Sequence, residues 1–236
     1  MSGEDFDLAS LAVHLHLTPE QVRKMAERDK IPGRKVGGEW RFSAAEIHQW
    51  FEDRIGASDE KELSQVERVL QQQAAHDLVA EVDIPDMLPP QRIFVPSVAR
   101  TKNSLIESIC RLTADTGVLW DPEKMAEALH SREALHPTAL ENGVALLHPR
   151  RPIPGIIGEP FLSLAIQTAA IPFGGPRGTL TDIFFLIGST DEALHLRVLA
   201  RLSRLIQATD FLEQLRESND SQSAWELIMS TDAQLT

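Results

Sequence analysis

The chain has 236 residues, 42% hydrophobic and 25% charged, which excludes a mostly disordered polymer and leaves room for one large domain or two modest ones. A single cysteine, Cys110, excludes an intramolecular disulfide framework and any cysteine-rich zinc module. The net charge of −12, from 23 basic and 35 acidic residues, argues against a whole-molecule nucleic-acid binder but allows a small module with a basic face.

The first eight residues carry Glu4, Asp5 and Asp7 and no basic group, unlike a secretory signal. The longest apolar stretches are a few residues, far short of the roughly 20 that cross a bilayer. A cytoplasmic protein without a membrane segment is the expectation. No internal repeat of useful length is visible.

Residues 1–55 hold eight Lys/Arg and ten Asp/Glu. Leu8, Leu11 and Leu15 form one stripe of a first helix beginning near Asp7. Thr18–Pro19–Glu20–Gln21 is a helix start, with an N-cap and proline at the first position. The second helix carries Val22, Met25 and Ala26 at core spacing and stops before Ile31–Pro32–Gly33. Alternation around Gly37–Gly38, ending in Trp40, Arg41 and Phe42, predicts a β-hairpin. Ser43 caps a third helix, with Glu46 at the capping-box position and Ile47, Trp50 and Phe51 facing the core.

Helix, turn, helix, wing and supporting helix is a recurring DNA-binding order. Thr18–Arg41 holds seven basic residues against four acidic ones, and this is where a DNA face would lie. The alternative is an ordinary solvated surface, and Trp40 reads as core rather than a base contact. The stretch LTPEQVRKMAERDKIPGRKVGGEWRFSAAEIHQWF resembles the excisionase and MerR-like winged helix-turn-helix family. The resemblance implies that Arg23, Lys24 and Arg28 lie on the recognition helix and Arg34, Lys35 and Arg41 on the wing. One such domain neutralises few phosphates, so useful affinity would need a homodimer or a partner.

Residues 56–98 hold three basic and eight acidic residues, a Gln run and the sequence DIPDMLPP. They read as a tether, helical over the first half and irregular over the second, with the linker proper at 56–89 and a second domain at 90–236.

Asn103–Asp115 reads as an amphipathic helix burying Leu105, Ile106, Ile109, Leu112 and Thr113, and Asp121–Pro122–Glu123 starts another with Met125, Ala128 and Leu129 inside. Val144–His148, Phe161–Thr168 and Leu180–Ile187 are strand candidates. A long helix from His195 to Gln207 and two short ones, near Thr209–Glu217 and Ser221–Met229, follow. The order predicts an α/β domain, a mixed β-sheet covered by helices. No dinucleotide or P-loop motif is present, and Pro172–Gly178 reads as a loop between strands rather than a phosphate cradle. No cofactor is called for.

Histidines are the candidate chemical groups. His148, exposed at a strand end and followed by Arg150 and Arg151, is a plausible phosphoryl acceptor, because imidazole is nucleophilic near neutral pH and arginine meets phosphoryl oxygens in a fork. His195 begins a helix, where unpaired N–H groups favour an anion, and stands as a candidate partner for His148. His136 lies in a proline-containing loop. A metal site from His136, His148 and His195 is a weaker reading, lacking a specific ligand spacing.

SREALHPTALENGVALLHPR, LTDIFFLI and EALHLRVLARLSRLI, in that order, resemble the phosphotransferase-system enzyme IIA domain of the fructose/mannitol and nitrogen-regulatory type. The resemblance covers residues of about 90–235. It implies that His148 is the phosphorylated histidine, His195 the second histidine, Arg132 an arginine holding the phosphoryl group and Arg150 a basic residue two positions beyond the acceptor. It implies a histidine-containing phosphocarrier protein as donor. Two departures stand out: Pro149 follows the histidine where glycine is usual, and Leu147 precedes it where proline is usual. Two readings therefore stand: a phosphoacceptor tethered to a DNA-binding-like module, and an interaction protein that carries no phosphate.

Overall fold

The computed structural model describes residues 5–15, 17–43, 46, 47, 50 and 82–235. The chain divides into two compact units, 1–81 and 82–236. The expected helical tether and Phe51 lie outside the described residues.

In the first unit, strand β1 (Phe6–Asp7) leads into helix α1 (Leu8–His14). Asp7 caps α1, accepting from the N–H groups of Ala9 and Ser10, while Ser10 bonds back to the Asp7 N–H. Helix α2 (Pro19–Glu27) starts as its sequence dictates: Thr18 and Gln21 form a reciprocal capping box and Pro19 occupies the first turn. Strands β2 (Arg34–Val36) and β3 (Glu39–Phe42) form the expected hairpin. Gly37 and Gly38 both take positive φ, +61° and +87°, as the tight two-residue turn requires. The sheet order is β1-β3-β2, so β3 gains a partner, β1, that no local sequence signal announced. Leu11, Leu15, Val22, Ala26, Ile31, Phe42 and Ile47 form the core, and Met25 is only half-buried. Residues 46, 47 and 50 are helical, with the Ile47 N–H bonded to the Ser43 carbonyl and the Trp50 indole N–H to the Lys30 carbonyl.

The second unit begins with helix α3 (Ile84–Met87), strand β4 (Ile93–Ser97), helix α4 (Lys102–Asp115) and helix α5 (Pro122–Leu135). Strands β5 (Val144–Leu147), β6 (Phe161–Pro172) and β7 (Leu180–Gly188) follow, then helices α6 (Glu192–Leu205), α7 (Phe211–Glu217) and α8 (Ser221–Gln234). The sheet order is β4-β6-β7-β5, with β4/β6 and β5/β7 parallel and β6/β7 antiparallel. This is the expected α/β fold with a mixed sheet covered by helices.

Two-residue alternation sorts the sheet into two buried faces. Ala145, Leu147, Phe161, Ala165, Phe184 and Leu186 pack with Leu105, Ile109, Met125 and Leu129 of α4 and α5. Each such large side chain, taken wholly out of water, stabilises the fold by about 1.5–3 kcal/mol before entropy is charged. Thr113, polar on this face, is satisfied by the Ser163 hydroxyl at 2.8 Å. The alternate residues Leu146, Leu162, Leu164, Phe185 and Ile187 are equally buried on the other face, where α6 lies against β7 and α8 against β4.

Four expectations are corrected. The run DIPDMLPP is not irregular: Asp83 caps α3, Ile84 and Leu88 are fully buried, and the Trp225 indole N–H donates to the Pro85 carbonyl. Proline is tolerated there because it sits in the first turn, where no helical partner exists for its nitrogen. Strand β4 was missed because proline interrupts it. Leu112 is 36% exposed, and Cys110 takes its place inside. Ala128 is only half-buried, Ala126 lying in the core instead.

Candidate functional site at the carboxyl ends of β5 and β7

Parallel pairing of β5 with β7, Leu147 opposite Leu186, brings the carboxyl ends of both strands to one end of the sheet. His148 follows β5 directly, and three residues after β7 the chain enters α6. The first turns of α6 therefore return over the end of β5, and His195 meets His148. Their ring centroids are 4.9 Å apart with planes inclined by 54°.

Both rings are enclosed, His148 3% and His195 2% exposed. The expectation of an exposed imidazole at the strand end is therefore corrected. Alternation carries the residue after Leu147 to the Leu146 side of the sheet, the side that α6 covers. The place of His195 is corrected as well. Helix α6 starts at Glu192, capped by Asp191 through the Leu194 N–H at 2.9 Å. The His195 N–H is already bonded to the Asp191 carbonyl, so it is not one of the open donors of a helix start.

The His148 Nδ1 lies 2.8 Å from the Leu146 carbonyl oxygen. A carbonyl only accepts, so Nδ1 carries the proton, and in the neutral ring the lone pair resides on Nε2. The tautomer is thus assigned by a backbone contact that the strand itself supplies.

Arg132 is buried in the last turn of α5, where it donates to the His136 carbonyl at 2.8 Å. Its neighbour Glu133 was not singled out from the sequence, although it stands in the same motif. The buried Glu133 carboxylate accepts from the Thr138 N–H at 3.0 Å and from the Thr138 hydroxyl, and pairs with Lys102 at 2.7 Å. These bonds hold residues 136–140 along the outer edge of β5, where Ala139 bridges Ala145 and the Leu140 N–H reaches the Val144 carbonyl. Arg132, Glu133 and Thr138 therefore form the frame that fixes the strand ending in His148.

Arg150 is exposed on the turn beyond β5, while Pro149 is buried. Exposed His136 ends α5, its Nδ1 3.0 Å from the Pro137 carbonyl. Among the described residues no group of three or more His, Cys, Asp or Glu is arranged to hold a metal ion. Of Pro172–Gly178, which the sequence implied to be a loop between strands, Pro172 ends β6, and residues 173–179 connect β6 to β7.

In the first unit, Arg23, Lys24, Arg28, Arg34 and Lys35 are exposed and Arg41 is half-buried. Lys24 pairs with Glu20 at 2.9 Å, Arg34 with Asp5 and Arg41 with Glu39 at 3.4 Å each. Lys35 stands 5.2 Å from the Trp40 ring centre, and Trp40 stacks at 6.0 Å on the buried Phe42, which ties the wing to the core.

No helix among the described residues is long and apolar enough to cross a membrane.

The fold agrees with what the chain is similar to. The family model described as "Phosphoenolpyruvate-dependent sugar phosphotransferase system, EIIA 2" matches residues 86–231, and a helix-turn-helix domain model matches residues 6–55. A nitrogen regulatory protein of Bradyrhizobium diazoefficiens is 28% identical over 148 residues, covering 61% of this chain and 94% of its own length. One of Pseudomonas aeruginosa is 24% identical over 152 residues, covering 63% and 96%. The crystal structure of nitrogen regulatory protein IIA-Ntr from Neisseria meningitidis shares the fold, with a TM-score of 0.52 at 21% identity over 61% of this chain and 98% of that one. With more than half of its length matched by that model, the chain belongs to the phosphotransferase-system EIIA type 2 family.

Proposed function

We propose that this protein is a regulatory phosphoacceptor in which His148 takes a phosphoryl group from the phosphohistidine of a small phosphocarrier protein. The observation that carries the reading is the paired His148 and His195 at the carboxyl ends of two parallel strands, with His148 Nδ1 committed to the Leu146 carbonyl. Nε2 is then the nucleophile. As its bond to phosphorus forms, the phosphorus–nitrogen bond of the donor breaks, and the donor imidazole keeps the electron pair.

Little covalent chemistry is asked of the protein in such a transfer; positioning and charge stabilisation carry it. The Leu146 carbonyl holds the ring and stabilises the positive charge that develops at Nδ1–H. His195 packs against the acceptor ring. Arg132 and Arg150 are the cations assigned to the phosphoryl oxygens. Phosphorylation adds about −1.5 to −2 charge, and in a chain with a helix-turn-helix unit the proposed readout is DNA or partner binding by Arg23, Lys24, Arg28, Arg34, Lys35 and Arg41.

One observation favours the rival reading of an interaction domain. Both imidazoles are nearly closed off from solvent, and Pro149 has no N–H to offer a phosphate. Transfer therefore requires the segment after His148 to open.

The deciding experiment incubates the purified chain with phosphoenolpyruvate, enzyme I and the phosphocarrier protein and reads intact mass. An acid-labile gain of one phosphoryl group, absent in His148→Ala, is expected. No gain with active donors overturns the proposal in favour of the interaction domain.

A further inference from the structure

A cleft of about 560 Å³ opens at the same end of the sheet as His148 but at the opposite edge, beside the start of β4. Its lining includes Gln91, Arg92, Thr116, Trp120, Gly158 and Glu159. None of these belongs to the histidine pair or its frame. The volume lies within the range of pockets that enclose small organic ligands.

The walls are firmly joined. The Trp120 N–H donates to the Ile156 carbonyl and the Gly158 N–H to the Val118 carbonyl, both at 2.8 Å, and Leu119 bridges Ile157. The Trp120 ring lies over Gly158 so closely that a β-carbon there would stand 3.3 Å from Cζ2. The indole is nevertheless 66% exposed, an unusual state for so large an apolar group.

Arg92 is the second unusual feature. It is 8% exposed, and its Nη1 has no hydrogen-bond partner among the described residues. Among the described residues its Nη2 reaches only Glu159, at 3.5 Å, and that carboxylate is itself 65% exposed. Burial pulls the guanidinium below its ordinary range, and Glu159 offsets this only in part. A buried guanidinium whose charge is met by a long and solvated ion pair is costly unless a closer anion offsets it.

From the juxtaposition of Arg92 and Trp120 in one cleft we infer a binding site for a small aromatic monocarboxylate. The ligand carboxylate takes the place of Glu159 on Arg92 Nη2, releasing Glu159 to water, while its ring stacks on the indole. One guanidinium beside an acidic residue, in a chain of net charge −12, compensates a single negative charge and not a polyphosphate. That selects a carboxylate over a nucleotide. The assignment is independent of whether His148 carries phosphate.

The test is ligand-observed NMR and calorimetry on the full chain with indole-3-acetate and 2-naphthoate, with indole-3-acetamide and ATP as comparators. The two carboxylates should bind, the neutral amide and ATP should not, and Arg92→Gln and Trp120→Ala should each weaken binding by about tenfold or more. Trp120→Ala removes an exposed side chain and keeps the test open if Arg92→Gln fails to fold. Absence of carboxylate binding at millimolar concentration, equal binding of the amide, preference for ATP, or no effect of Trp120→Ala would each overturn the assignment.

Discussion

His148 and His195 meet with their ring centroids 4.9 Å apart and their planes tilted by 54°, although 46 residues lie between them in the sequence. The contact is a product of topology. Parallel β5 and β7 end together, and a three-residue connection turns α6 back across that end.

The pair gives unequal mutational effects. His148→Ala should abolish phosphoryl uptake outright, whereas His195→Gln should slow it by roughly 10- to 100-fold, a range typical of a lost auxiliary group. Single-turnover transfer from the phosphocarrier protein measures both. In the unmodified wild type, long-range ¹H–¹⁵N spectra should identify the neutral His148 ring as the Nδ1–H tautomer; an Nε2–H ring would contradict the role given to the Leu146 carbonyl.

A buried ion pair ties α6 to α8. Arg201 Nε donates to Asp232 at 2.7 Å, and its Nη2 reaches the Asp232 carbonyl at 2.9 Å. Removing the carboxylate leaves a desolvated guanidinium, so Asp232→Ala should lower stability by about 3 kcal/mol in urea unfolding. Replacing both partners with Met and Leu should recover much of that loss, because the pair's desolvation is then avoided.

For the first unit, the ion pairs rank the basic residues. Arg23 and Arg28 are exposed on or next to α2, whereas Lys24 is engaged by Glu20. If DNA is bound, Arg23→Ala and Arg28→Ala should each reduce the slope of log affinity against log salt by about 1, and Lys24→Ala by less. Binding isotherms on nonspecific duplex at several salt concentrations give the slopes.

Burial raises the Cys110 thiol to about 12. At pH 8 the folded protein should therefore resist iodoacetamide and react promptly once unfolded in urea. The sign of the linked stability follows. The fold favours the protonated thiol, so this contribution is intact below the ordinary cysteine value of 9.0 and is lost as pH rises from there towards about 12.

Much of the local architecture was legible because it is written in adjacent residues. Thr18 with Pro19, the Gly37–Gly38 turn and Pro122 after Asp121 mark element boundaries through capping and backbone conformation alone. Apolar runs disclosed β5, β6 and β7 for the same reason. What failed was long-range. The DIPDMLPP run reads as a tether until Ile84 and Leu88 are seen buried in the second unit, and β4 is a strand only because β6 lies beside it.

The candidate site divides along the same line. The sequence by itself determined the fold class and singled out the histidines as candidates, since these rest on residue types, spacing and local propensity, while Arg132 entered through the family resemblance. Tertiary structure alone decided that His148 is buried rather than exposed, that Glu133 and Thr138 brace its strand, and that Arg92 and Trp120 share a cleft. Burial and pairing between distant segments depend on how strands order themselves in a sheet, and strand order is set by the packing of whole faces rather than by neighbouring residues.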